Sequence, residues 1–265
     1  MERLFQDLKF AGRVLWKDRG FAATALLTLG ICIGANAAIF AIVNSVVLRP
    51  LPVPDSDRLV ILYNSYPKAG VERASTGVPD YYDRLRETDV FEEQALYQMR
   101  GQTIGGETDP QRITGMSVRP SFFRLLRGRP LRGRIFNEDE GEIGHERVTI
   151  LSYALWQQVL GGSESAIGRE LRVNGVPYVI VGVMPQTFYF ADPDVKLWTP
   201  LAFTPEQKSD DARHSNSWTM IARLKPGATV EEANAEVQVL FASFVRSQSS
   251  QALAIASAGH WLVPQ

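Results

Sequence analysis

From residue 21 to residue 48 the chain has no charged side chain, whereas short apolar runs broken by polar, Gly and Pro positions make up the rest. A helix rises ~1.5 Å per residue, so ~20 apolar residues cross a hydrocarbon core of ~30 Å. Residues 21–48 therefore predict a transmembrane helix long enough to tilt or to project as a stalk. A cleaved leader is the competing reading, since Ala35-Asn36-Ala37 offers a small-x-small site. The apolar stretch runs on well past that site, and the segment before it is too long for a leader. A lipid anchor at Cys32 is weaker still, because bulky Ile31 stands where a small residue is wanted. Arg3, Lys9, Arg13, Lys17 and Arg19 precede the helix, while only Arg49 and Arg58 follow closely. Positive flanks stay cytoplasmic, so the N-terminus is expected inside and residues 49–265 outside, which is periplasmic for a protein of the inner membrane.

Within residues 1–20, Leu4, Leu8, Ala11 and Leu15 fall at helical spacing, with Phe5 beside them and Trp16 near the membrane boundary. This predicts a short amphipathic helix on the cytoplasmic surface. In the membrane helix, Gly30 and Gly34 form a small-xxx-small pair, continued by Ala37, Ala38, Ala41 and Ser45. Asn36 and Asn44 add amides to an otherwise apolar run. Gly30, Gly34, Asn36, Ala37 and Ala41 are the candidate residues for packing against another membrane helix.

Beyond Arg49-Pro50-Leu51-Pro52-Val53-Pro54, which ends the helix and keeps the chain extended, the pattern predicts strands at 59–64, 96–104, 112–118, 147–151, 195–199 and 218–224. A hairpin is centred on Gly175, between strands 170–174 and 178–183. Helices are expected from 79 towards 91, as a turn at 120–126, at 153–160 before Gly161-Gly162, and at 230–244, where Ala233, Val237 and Leu240 mark the buried stripe. Strands and helices mix without strict βαβ alternation, which predicts an α+β domain in two lobes.

Composition changes this picture little. The chain is 45% hydrophobic and 22% charged with net charge −1, enough to bury a core and too neutral for nucleic acid to be its main partner. With one cysteine, no disulfide forms within the chain. His145, His214 and His260 are far apart in sequence, so paired-His zinc spacing is absent. Neither a G-x-x-x-x-G-K-[ST] loop nor a G-x-S-x-G elbow occurs, and no catalytic, cofactor-binding or metal residue is assigned. Arg124, Arg127, Arg129, Arg132 and Arg134 form a basic cluster ahead of Glu138-Asp139-Glu140 and Glu142. Surface ion pairing accounts for it more simply than a lipid- or partner-facing patch. Phe188-Tyr189-Phe190 reads as the lid of a core rather than a binding surface.

An ordered series of motifs covers nearly the whole chain to about residue 245. It comprises Ile33-Gly34-Ala35-Asn36-Ala37-Ala38-Ile39-Phe40, Leu48-Arg49-Pro50-Leu51-Pro52, Asp57-Arg58-Leu59-Val60, Val118-Arg119-Pro120-Ser121-Phe122-Phe123 and Arg132-Gly133-Arg134-Ile135-Phe136. It continues through Val148-Thr149-Ile150-Leu151-Ser152, Val181-Gly182-Val183-Met184-Pro185, Leu197-Trp198-Thr199-Pro200-Leu201 and Ala222-Arg223-Leu224-Lys225-Pro226-Gly227. The series resembles ABC-transporter permeases of the MacB and FtsX type, in particular the duplicated orphan permeases of acidobacteria.

The resemblance implies a MacB-like periplasmic core domain over residues 49–245, carried on a transmembrane helix and stalk at 21–48. It implies a separate cytoplasmic ABC ATPase and a membrane permease partner or homodimer. The domain would transmit motion rather than conduct substrate. The alternative is a membrane-tethered binding or scaffold module without transport activity. Residues 246–265 depart from the family: no Lys, Arg, Asp or Glu occurs from Ser247 on. They read as an atypical tail with no partner strand, and the chain as a permease fragment truncated after its periplasmic domain.

Overall fold

A computed structural model describes residues 17, 19–46, 53–66, 70–106, 109–213, 215–247 and 260–264. The amphipathic helix expected over residues 1–20 lies outside them, apart from Lys17 and the two residues that open the next helix. The chain divides into two units, residues 1–49 and 50–265.

The first unit contains helix α1, Arg19–Val46, shifted two residues towards the N-terminus from the expected 21–48. Its stretch Arg19–Phe40 is long and apolar enough to cross a membrane. The Thr24 and Thr28 hydroxyls donate to the carbonyls of Gly20 and Thr24, each at 2.8 Å. Their polarity is thereby satisfied inside the helix, as a hydrocarbon environment demands.

The second unit is α+β. In chain order its elements are β1 (Leu59–Tyr66), β2 (Val71–Ala74), α2 (Val78–Glu87), β3 (Phe91–Ile104), β4 (Gln111–Val118) and α3 (Phe122–Leu125). They continue with β5 (Arg132–Gly133), β6 (Val148–Leu151), α4 (Tyr153–Leu160), β7 (Glu170–Val173), β8 (Val176–Val183) and β9 (Val195–Pro200). The last are α5 (Pro205–Lys208), β10 (Thr219–Leu224), α6 (Val230–Ser247) and β11 (His260–Pro264). Local chemistry explains the boundaries. Ser152 caps α4 by accepting from Leu155 N at 3.2 Å, and Gly161 closes it at φ 58°. Asn174 and Gly175, at φ 51° and 80°, make the β7–β8 turn, a geometry that right-twisted hairpins favour. Thr229 and Glu232 cap α6 reciprocally, each side chain accepting from the other's backbone N–H.

The sheet runs β11-β1-β10-β3-β4-β9-β6-β8-β5, with β2 beside β1 and β7 beside β3 and β8. β4–β9 and β6–β8 are parallel pairs, and the other pairs are antiparallel. Side chains alternate faces along a strand, and this alternation sorts the core into three layers. On one face Val60, Leu62, Leu96, Met220 and Ala222 pack with Val78 and Tyr81 of α2 and Ala233 and Val237 of α6. At the other end Leu151, Ile180, Val183 and Leu197 pack with Leu155 and Trp156 of α4. The intervening residues Leu59, Ala95, Tyr97, Ile150, Trp198 and Ile221 join Phe122, Phe123 and Phe136 in one aromatic layer shared by both ends. Two lobes thus hang on one sheet. β3 threads both: Phe91 and Leu96 lie in the first core and Ile104 in the second.

The tail departs from expectation. Residues 260–264 form β11, antiparallel to β1 with Val60 opposite Pro264 and Asn64 opposite His260. The reading of residues 246–265 as lacking a partner strand is corrected at these five positions. Leu59–Leu62 of β1 are apolar and buried on both faces, and the outer edge of such a strand accepts an extended segment that supplies backbone hydrogen bonds.

Candidate functional site

On α1, Gly30, Gly34, Ala37 and Ala41 fall on one flank of the helix, whereas Asn36 is rotated from Gly30 by about 120° at 3.6 residues per turn. A Cβ added at Gly30 or Gly34 would meet nothing within 4 Å, so this flank is open. The Asn36 amide donates to the Cys32 carbonyl at 3.0 Å. Part of the demand that the sequence reading assigned to a partner helix is therefore met within α1 itself. The structure brings four of the five candidate residues onto one face and leaves Asn36 off it.

The second unit begins with an elbow. Val53 is buried, Asp55 turns left-handed at φ 49° and ψ 49°, and a 3-10 turn over Ser56–Arg58 leads into β1. Arg223 of β10 is completely buried beneath it. Its Nη2 donates to Pro54 O at 2.9 Å, its Nη1 to Asp55 O at 2.8 Å, and its Nε to Leu125 O at 2.7 Å. Burial, followed by the neighbouring guanidinium groups of Arg127 and Arg58, holds Arg223 below the ordinary arginine pKa. Arg58 donates to Leu224 O at 3.1 Å and pairs with Glu92 at 3.0 Å.

Arg127 pairs with the Asp55 carboxylate and more loosely with Glu92, at 3.6 Å. Arg127 is itself left-handed, at φ 53°. Among the described residues, two of the four non-glycine residues at positive φ thus face each other across one ion pair. Such backbone persists only where its surroundings over-determine it. An open groove of about 480 Å³ runs beside the elbow, lined in part by Val53, Pro54, Leu126, Arg129 and Phe188.

A second buried cluster lies under α2. Arg84 is 2% exposed and donates to Asn64 Oδ1 at 2.6 Å and Thr76 Oγ1 at 3.4 Å. Asn64 passes the network on to Asp80 Oδ2 at 2.7 Å, and Arg213 bridges Asp80 and Asp83 at 2.8 and 2.7 Å. Sequence reasoning missed both clusters. A charged residue inside an otherwise apolar strand, Ala222-Arg223-Leu224, is the signal that could have found Arg223.

The arginines singled out from sequence are mostly paired. Arg124 meets Glu93 and Glu138, Arg132 meets Glu164, and Arg134 makes two bonds to buried Glu140, at 2.6 and 3.0 Å. The hydrogen bonds to Glu140 hold Arg134 above the usual arginine pKa. Phe190 is 1% exposed and sits edge-on to Tyr97 and Phe122, a core lid as expected. Among the described residues no three His, Cys, Asp or Glu side chains come together as a metal site would require, and His145 stands exposed on a loop.

Comparison with known proteins gives a consistent picture. The family model of the MacB-like periplasmic core domain matches residues 22–240. The macrolide export ATP-binding/permease protein MacB of Wolinella succinogenes is 26% identical over 187 residues, covering 68% of this chain. The match spans 28% of that protein's length. A domain assigned to a permease protein of Porphyromonas gingivalis superposes with TM-score 0.60 at 13% identity, covering 80% of this chain and 93% of that domain. The periplasmic region of MacB from Actinobacillus actinomycetemcomitans gives 0.54 at 10% identity, covering 80% and 90%. These likenesses carry the α+β fold.

Proposed function

Because the chain belongs to the MacB-like periplasmic core domain family, we propose that it is a permease-type subunit whose core domain passes motion between the membrane and the periplasm. The match runs through α1 and the core domain on one polypeptide, and that continuity is the observation that carries the reading. The family is one of membrane-anchored permease domains rather than of catalytic folds. The driving ATPase in this reading is a separate cytoplasmic ABC subunit, and the membrane partner is a second permease subunit or a second copy of this chain. Gly30, Gly34, Ala37 and Ala41 form the face offered to that partner, with Asn36 beside it. The N-terminus lies in the cytoplasm and residues 49–265 in the periplasm of an inner membrane. Residues 49–245 form the working domain.

Two measurements test this. In spheroplasts of a variant with Cys32 replaced by Ser, a cysteine at Gln157, exposed on α4, is expected to react with a membrane-impermeant thiol reagent, and one at Gln6 is not. Purification in mild detergent is expected to recover an ATP-hydrolysing subunit. A clean monomer without one would favour the tethered scaffold, and labelling at Gln6 alone would reverse the topology.

A further inference from the structure

We infer that the elbow at residues 53–58, clamped by Arg223, Arg58 and Arg127, is the joint through which load on the membrane helix enters the core domain. This rests on the motion-transmitting reading above and names the residues that would perform it. The chain leaving α1 enters β1 through residues 53–58, so a displacement of the helix carried along the backbone passes through this segment.

A load-bearing joint needs attachments that resist sliding along the chain. Apolar burial is non-directional and lets a segment slip. Hydrogen bonds from a guanidinium are directional, and bonds to charged groups are the strong ones. Arg223 supplies three of them, to the carbonyls of Pro54, Asp55 and Leu125. One buried side chain therefore ties the incoming segment to β10 and to the end of α3. Arg58 repeats the arrangement from the other direction, reaching from the elbow to the Leu224 carbonyl beside Arg223. The Asp55 carboxylate is held by both Arg58 and Arg127, and Glu92 of β3 contacts the same two arginines.

The three cations repel one another across this small region, and Asp55 and Glu92 hold them together. Load that pulled Asp55 away would leave Arg223 buried with two of its three carbonyl acceptors, those of Pro54 and Asp55, gone, a costly state.

The test is single-molecule force spectroscopy on the full chain in detergent micelles, with Cys32 replaced by Ser and handles on introduced cysteines. One pair, at Leu51 and Gln157, loads the elbow. The other, at Glu87 and Gln157, bypasses it. Arg223→Lys, which cannot serve three carbonyls at once, is expected to shorten the dwell time before first opening on the order of tenfold in the elbow pull, with the bypass pull unchanged. Equal shortening in both pulls would make Arg223 an ordinary core residue and overturn the inference, as would no shortening in the elbow pull.

Should Arg223→Lys fail to fold, Asp55→Asn keeps a residue tolerant of the left-handed region. It is expected to shorten the elbow dwell about threefold and to weaken its salt dependence, Glu92 still pairing with Arg58 and Arg127. An Asp55→Asn dwell and salt dependence equal to the parent's would also refute the joint. No ATPase enters this measurement. A joint found here with no ATPase partner at purification would sink the function and keep the joint, and the reverse result would sink the joint alone.

Discussion

The two lobes differ in what they bury. The first, built on β1, β10 and β3 under α2 and α6, buries Arg84, Arg213 and Arg223; Arg119 and Glu140 are buried on connecting segments, and β6 to β9 and α4 themselves bury no ionised side chain. The second lobe is held by Leu151, Leu155, Trp156, Ile180 and their neighbours through apolar packing. Apolar packing supplies stability without orientation, while a buried guanidinium fixes particular backbone atoms in particular directions. The lobe that receives the chain from the membrane helix is thus the one built for orientation. The lobe at the far end of the sheet is fastened to it through a shared aromatic layer.

That layer offers the sharpest way to break the comparison. The Phe123 ring lies within 5.7 Å, centroid to centroid, of Phe122, Phe136, Phe188 and Trp198 and is fully buried. Phe123→Ala is expected to cost about 3–5 kcal/mol and to destabilise both lobes equally in one cooperative transition. Chemical denaturation followed by hydrogen exchange at β10 and β8 checks this. Separate transitions in the two lobes would show that the layer does not couple them.

Next in size is Arg84→Met, which keeps much of the volume and removes the donor to Asn64 and Thr76. Two buried acceptors would be left wanting, a loss of about 3 kcal/mol. Native-state exchange is expected to rise in β1, α2 and β10 well before it rises in β7 or β8. Uniform acceleration across both lobes would deny the first lobe its separate character.

Most of the architecture was legible because local rules and tertiary packing agree. Ser152 and Gly161 bracket α4 where spacing placed it, and the Gly175 turn stands between its strands. Of the expected stripe, Ala233 and Val237 are buried as periodicity requires, and Leu240 is half-buried. The buried arginines were illegible for a physical reason: the partners of Arg223 are backbone carbonyls at Pro54, Asp55 and Leu125, which no side-chain motif encodes. Asp55 and Arg127, in their left-handed conformations, carry no glycine to announce them. β11 was missed because its pairing partner lies at the opposite end of the chain. The small-residue flank of α1 was readable as a pattern, but Asn36 found a partner one turn back, a local solution that an amide count overlooks.

A smaller effect separates the shared layer from the second lobe by pH. Burial pushes Tyr97, edge-on to Phe190, up to about 12. The unfolded phenol ionises near pH 10, so the folded state keeps its proton longer. This stabilisation is complete below pH 10 and is lost as pH rises towards 12. The expected loss is about 2 kcal/mol. Tyr178 in the second lobe is also raised by burial, though it is only partly buried. Denaturation from pH 9 upwards is expected to show the loss in the parent and most of it removed in Tyr97→Phe. An equal alkaline slope in both proteins would place the titrating group elsewhere.

The smallest expected effect concerns the outer edge of the first lobe. β11 pairs with β1 over five positions and also runs against α6, so at the edge of the sheet it contributes backbone hydrogen bonds together with a limited packing contact. Such bonds exchange for bonds to water when broken and return little net free energy each. A chain ending at Arg246 is therefore expected to fold cooperatively and to lose about 1 kcal/mol, because Ala233 and Val237 still seal the helical face and Glu236 still accepts from the backbone of Asp89 and Val90. The larger consequence is in association. Removing β11 bares the edge of a strand whose Val60 and Leu62 are core residues, and an uncovered apolar edge pairs with its like. The shortened chain is expected to dimerise with rising concentration in light scattering. If instead the shortened chain stays monomeric at every concentration while its melting temperature falls sharply, β11 belongs to the core rather than guarding its edge.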